Sequence, residues 1–113
     1  MYESKKWLER LERIIKKYLG EATLSNQKLA EEIKISERHL FRRVKEVTGL
    51  SPQKYIRKLR LKMAYKYLKA GEYRTVKEVS KAVGYINTSY FITQFEKEFG
   101  KKPFAVLREA GWR

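Results

Sequence analysis

Apolar residues recur with helical spacing almost from one end of the chain to the other. Between Glu3 and Leu19 the positions Trp7, Leu8, Leu11, Ile14, Ile15, Tyr18 and Leu19 follow i, i+3, i+4, i+7 spacing, and Gly20 then stops the run. That stripe is too long for a lone surface helix, so it predicts an element packed across the first half of the chain. A short helix is expected from about Asn26 to Ile33, with Ser25 as its cap and Leu29, Ala30 and Ile33 facing inward. After Lys34 and Ile35, Ser36 caps another helix that runs to Thr48 and stops at Gly49. Ser51 and Pro52, cap and first-turn proline, open a longer helix reaching about Ala70. Its inward set is Tyr55, Ile56, Leu59, Met63, Ala64, Tyr67 and Leu68, and Gly71 closes it.

The pattern then repeats. Thr75 and Glu78 form a capping box before Val79, Ala82 and Val83, and Gly84 breaks that short helix. A longer helix follows from about Thr88 to Phe99, stops at Gly100, and a last one begins at Pro103. Gly49 and Pro52 stand 51 residues before Gly100 and Pro103, as Leu40 and Val44 stand before Phe91 and Phe95. The preceding short helices match at an offset of 50, Leu29-Ala30-Ile33 against Val79-Ser80-Val83, so one turn is a residue longer than the other. The spacing predicts an all-α fold of about seven helices. Two helix-turn-helix subdomains, residues 1–50 and 71–113, are joined by a long central helix over 51–70.

Composition adds a partner to this picture. Lysine and arginine number 27 against 13 acids, a formal charge of +14 on 113 residues, while 42% hydrophobic residues suffice for a core. A field of that sign attracts phosphates and speeds association with a polyanion. Charge alone also fits a solvated basic surface or an anionic membrane surface. The chain has no cysteine, which excludes disulfides and thiolate chemistry. No run approaches the roughly 18 apolar residues of a spanning helix, and no signal-peptide pattern opens the chain, so a cytoplasmic protein without membrane contact is expected. The single histidine, His39, lacks metal or triad companions in the sequence and reads as a surface or partly packed side chain. No glycine-rich phosphate loop occurs, and the acids lie among cations at helical spacing, where surface pairing is their expected use. Neither an enzyme nor a cofactor is expected.

In a helix-turn-helix the short first helix braces the second, whose outer face enters the major groove of duplex DNA. Ala30 and Ser80 are small where two such helices must approach closely. At about 100° per residue, Leu40, Val44 and Val47 mark the buried side of the first recognition helix, 36–48. Arg38, Arg42 and Lys45 fall nearly opposite, with Phe41 on the flank. Arginine there can bind guanine O6 and N7 with two hydrogen bonds; Lys45 suits a phosphate, and Phe41 either meets a thymine methyl or tucks against the neighbouring helix. On the second recognition helix, 88–99, Phe91, Phe95 and Phe99 point inward, and Ser89, Ile92, Thr93 and Glu96 take the outer positions. Serine and threonine discriminate bases less than arginine does. Glu96 faces a polyanion unless it accepts from cytosine N4 or pairs with a lysine. The two units are therefore expected to be unequal, the first supplying most base readout and the second adding position through Lys97, Lys101 and Lys102 on phosphates.

At this level of detail the chain resembles the DNA-binding domain of the AraC family of bacterial regulators, from about Ser25 to Arg108. The stretch VSKAVGYINTSYFITQFEKEFGKKP is similar to the family signature over the second unit, SERHLFRRVKEVTGLSPQKY to the first unit, and RKLRLKMAYKYL to the linking helix. The resemblance implies seven helices, two recognition helices in successive major grooves, and promoter binding. It also implies fusion to a sensor or receiver portion and contact with RNA polymerase. By position it implies Arg38, Phe41 and Arg42 as readers in the first unit, Ser89, Ile92 and Thr93 in the second, and a structural role for Arg60 and Ala64. Glu96 departs from the family's usual lysine, Ser80 from its alanine and Val106 from its terminal tyrosine. The alternative is a basic helical module for RNA, or for a protein or membrane surface.

Overall fold

The computed structural model describes residues 2–111, the side chain of Tyr2 excepted. These residues form seven helices and no strand: α1 (Tyr2–Lys17), α2 (Asn26–Ile33), α3 (Glu37–Thr48), α4 (Pro52–Ala70), α5 (Val76–Ala82), α6 (Thr88–Phe99) and α7 (Pro103–Glu109). The all-α class and the repeated short–long helix pairs are those expected. Two compact units divide the chain, Met1–Leu19 with Thr23–Leu59, and Gly20–Ala22 with Arg60–Arg113, so α4 contributes to both.

In the first unit α1 packs on α2 and α3, and α2 packs on α3. Their apolar stripes meet in a core of Leu11, Ile15, Leu29, Ile33, Leu40 and Val44, each no more than 3% exposed. Each short helix begins on a side-chain cap: Ser25 Oγ accepts from Lys28 N–H and Ser36 Oγ from His39 N–H, both at 3.1 Å. Such caps satisfy donors that the first helical turn leaves free. In the second unit α5 packs on α6, and α7 packs on both. Its core is Leu68, Val79, Val83, Phe91, Phe95, Val106 and Leu107. Phe95 sits between Phe91 and Phe99, with ring centroids 5.7 and 4.7 Å away. Such tilted pairs add to the stabilisation from area burial.

The duplication reaches the hydrogen bonds. Ile35 N–H donates to Ala30 O at 3.0 Å and Tyr85 N–H to Ser80 O at 2.9 Å, the same bond 50 residues later. Beyond the turn the offset is 51: Gly49 N–H to Lys45 O and Gly100 N–H to Glu96 O, both 2.8 Å. The extra residue of the second turn therefore lies between Tyr85 and Asn87, at Ile86. The turn itself requires a left-handed backbone. Gly84 adopts φ 89° there without a Cβ penalty, whereas its counterpart Lys34 adopts φ 65° with one.

Some packing differs from the linear pattern. Helix α1 ends at Lys17 rather than Leu19, because Tyr18 N–H is shared between Ile14 O and Ile15 O and the chain tightens into a turn. Leu19 stays buried regardless. On α4, Met63 and Tyr67 are only partly covered, while Leu59, Arg60 and Leu61 are buried in succession. This helix buries more of its circumference than one amphipathic stripe. Ser80 is fully buried, its Oγ without a hydrogen-bond partner, so it serves there as a small residue.

Candidate nucleic-acid interface

Helix α3 is held from beneath by Leu40 and Val44, both 0% exposed, and its opposite face is left to solvent. Arg38, Arg42 and Lys45 are all exposed, and Phe41 is 50% exposed beside them, so it is not tucked away. Arg43, one residue further round, instead lies over the Trp7 ring at 4.5 Å and ties α3 to α1. Two arginines one helical turn apart therefore project from a helix whose rotation is set by its core, its cap and a cation–π contact. That arrangement presents two forked, permanently charged donors to a polyanion. His39 is partly buried on the same helix, and the described residues contain no cluster of three metal-ligating side chains.

Helix α6 is anchored by Phe91 and Phe95, and its N-cap Asn87 accepts from Tyr90 N–H at 2.9 Å. Ser89, Thr93, Glu96 and Lys97 are exposed, while Ile92 is only partly so. Thr93 Oγ1 donates to Ser89 O at 3.1 Å, which leaves that oxygen as an acceptor on an exposed residue. Of the cations below, Lys102 is exposed, but Lys101 is engaged: its Nζ lies 3.3 Å from Glu109 and 5.7 Å from the centre of the Tyr65 ring. Hydrogen bonding to Tyr65 and then to Glu109 raises the Lys101 pKa above its usual value.

Beneath this surface Arg60 is 7% exposed and donates to Val83 O at 2.6 Å and Glu21 O at 2.9 Å. Val83 ends α5 at the turn of the second helix pair, so the guanidinium fastens that turn from below. Burial pulls its pKa down from the usual arginine value, and the Tyr85 phenol opposes the shift. Ala64 is fully buried nearby in sequence. Both therefore have structural positions.

A short, capped helix bracing a longer one with an exposed polar face, made twice, is the geometry of a tandem helix-turn-helix. The family model described as a helix-turn-helix domain matches residues 29–109. The chain belongs to the AraC family of helix-turn-helix DNA-binding domains. It is 32% identical over 82 residues to the HTH-type transcriptional activator RhaS of Pectobacterium atrosepticum, covering 73% of this chain and 29% of that protein. Against RhaS of Escherichia coli it is 36% identical over 75 residues, covering 66% and 27%. The chain thus spans under a third of the length of these relatives. Among solved structures it resembles the C-terminal domain of AraT, a response regulator from Geobacillus stearothermophilus. That match has a TM-score of 0.77 and 28% identity, over 91% of this chain and 84% of the other. An AraC-type regulator from Chromobacterium violaceum shares the fold, with TM-score 0.85 and 22% identity over 98% and 97% of the two chains.

Within this AraC-family domain two exposed side chains near the start of α6 escape a reading by periodicity. Ile86 in the lengthened turn is 86% exposed, and Tyr90 is 52% exposed. Tyr90 passes for a core aromatic because Phe91 follows it, yet a 100° step per residue turns it away from the Phe91–Phe95 face. The same step places Ile92 on the flank, where its partner in the first helix is Phe41.

Proposed function

We propose that this chain binds promoter DNA in a sequence-specific manner as the output domain of a bacterial transcription regulator. The observation that carries this reading is the exposed pair Arg38 and Arg42 on α3, a helix whose orientation is locked by Leu40, Val44, the Ser36 cap and the Arg43–Trp7 contact. In the major groove each guanidinium would span O6 and N7 of a guanine, and Phe41 would contact a thymine methyl. Ser89 and Thr93 on α6 supply weaker preference, with Ile92 at the edge of that surface. Lys45, Lys97 and Lys102 meet phosphates, with Lys101 the least available of the four because Glu109 already holds it. Two readers in one chain predict a site of two successive major-groove segments, bound without dimerisation. No reaction is assigned to the domain. No described helix is long and apolar enough to cross a membrane, and duplex DNA places its work in the cytoplasm. The relatives' greater length and the likeness to a response regulator's C-terminal domain support fusion to a sensor or receiver portion. RNA polymerase is its proposed protein partner at the promoter.

Selection from random duplex DNA tests this, followed by affinity for the winner and for a scrambled duplex at two salt concentrations. The expected result is a motif spanning about two helical turns and a preference of ~10³ or more. Arg38→Ala or Arg42→Ala should abolish preference at one base pair and cost about 1–3 kcal/mol. Absence of a motif, with equal loss of both duplexes in salt, would leave only a basic surface and favour an RNA or surface-binding module.

A further inference from the structure

In the second unit, Lys62, Lys66 and Lys69 lie along one exposed stripe of α4, spaced four and three residues apart. With Tyr65 and Phe99 they line a groove of about 500 Å³. Its floor is aromatic: the Tyr65 ring lies 4.8 Å from Phe99 and 5.9 Å from Phe95, and both Tyr65 and Phe99 remain partly open to solvent. Helix α4 contains no acidic residue, so nothing on that helix neutralises the three ammonium groups, and like charges at this spacing repel.

We infer that this groove is a docking site for an acidic peptide segment of a partner protein, carrying one large apolar side chain among its carboxylates. The chemistry distinguishes that occupant from DNA. A phosphate backbone uses cations and hydrogen-bond donors, the Tyr65 hydroxyl among them, but gains nothing from the apolar ring faces of Tyr65 and Phe99. An apolar side chain flanked by carboxylates uses both parts of the site, its ring or methyls on the aromatics and its charges within reach of the flexible lysine stems. Exposed lysine–carboxylate pairs contribute little individually, so the apolar anchor supplies the selectivity and the lysines the approach. The groove's lining shares no residue with the outer positions of α3 and α6 assigned to DNA, and it adds a protein partner of defined chemistry to the domain.

Fluorescence anisotropy tests the inference with a labelled peptide of alternating Glu and Ser around a central Phe-Leu pair, and a control in which that pair is Ser-Ser. The whole chain should bind the first peptide at least about tenfold more tightly than the second. Lys62→Glu/Lys66→Glu should remove that binding by a similar factor. The same variant should weaken binding to the selected duplex no more than Arg10→Glu/Arg13→Glu, which makes an equal charge change on α1. Circular dichroism of both variants checks that they fold. If the two peptides bind alike, or neither binds, the apolar floor is not a recognition element and the inference fails. If the α4 variant loses duplex affinity well beyond the matched α1 variant, the groove belongs to the DNA interface instead.

Discussion

Lys34 and Gly84 occupy the same turn position in the two units, at φ 65° and 89°. A left-handed backbone costs a side-chain-bearing residue about 1 kcal/mol that glycine does not incur. Lys34→Gly should therefore raise stability by about 0.5–1 kcal/mol, and Gly84→Ala should lower it by at least as much, both read from urea unfolding. Arg60 is a larger case. Its guanidinium serves two carbonyls, Val83 O and Glu21 O, and its removal takes the donor from the buried Val83 bond. Arg60→Met keeps the apolar stem and should still cost about 2–4 kcal/mol, checked by thermal and urea unfolding. Tyr55 carries a pH signature. Burial, aided by the Glu12 charge, pushes its phenol up to about 12 from an ordinary 10. The folded state thus favours the protonated phenol, and this contribution is complete below about pH 10 and lost as pH rises through about 12. Tyr55→Phe should flatten the fall in stability across that window, seen by comparing urea midpoints of the two proteins.

At the scale of the helix, each recognition element depends on its ends as much as on its core face. Ser36 and Asn87 cap α3 and α6, and Gly49 and Gly100 end them with the same left-handed geometry. Loss of one cap leaves a first-turn donor without its partner. Asn87→Ala should cost about 1 kcal/mol of stability and fray the end of α6 that carries Ser89. Amide exchange at Tyr90 and Phe91 would report it. The α3 and α6 faces also differ in kind, two arginines against short hydroxyls and Glu96. That difference follows from residue type, since both helices carry a side-chain N-cap, end on a left-handed glycine and bury equivalent positions.

At the scale of the whole chain, a formal charge of +14 makes association with DNA strongly salt-dependent. Each phosphate neutralised contributes a slope of about −0.9 to log K against log salt. Lys97→Ala/Lys102→Ala should make that slope shallower by about two units and weaken all sequences alike, whereas Arg38→Ala should change which sequence is preferred. Filter binding or anisotropy over a salt series separates the two effects. Each unit holds its own core, Leu40 and Val44 in one and Phe91 and Phe95 in the other. The reader of each unit is thus oriented by contacts inside that unit.

Apart from the end of α1, helix limits, caps and the internal duplication were readable in the chain because they depend on neighbours a few residues away. Ser25, Ser36 and Thr75 accept the backbone bonds their positions imply, and Gly49 and Gly100 stop helices where expected. The exposed arginines of α3 were readable for the same reason, since a helix repeats every 3.6 residues. Other features needed the folded chain. Periodicity marks an apolar face but not how much of it is covered, so Met63 and Tyr67 were expected inside, while Leu61 and Arg60 are the more buried. The Arg60 bonds to Val83 and Glu21 join residues far apart in sequence, as do the Arg43–Trp7 contact and the capture of Lys101 by Glu109 and Tyr65. Local spacing dictates where a helix begins, ends and turns its faces. Which polar groups on those faces are already spent, and which remain for a ligand, is set by partners that only packing brings within hydrogen-bonding distance.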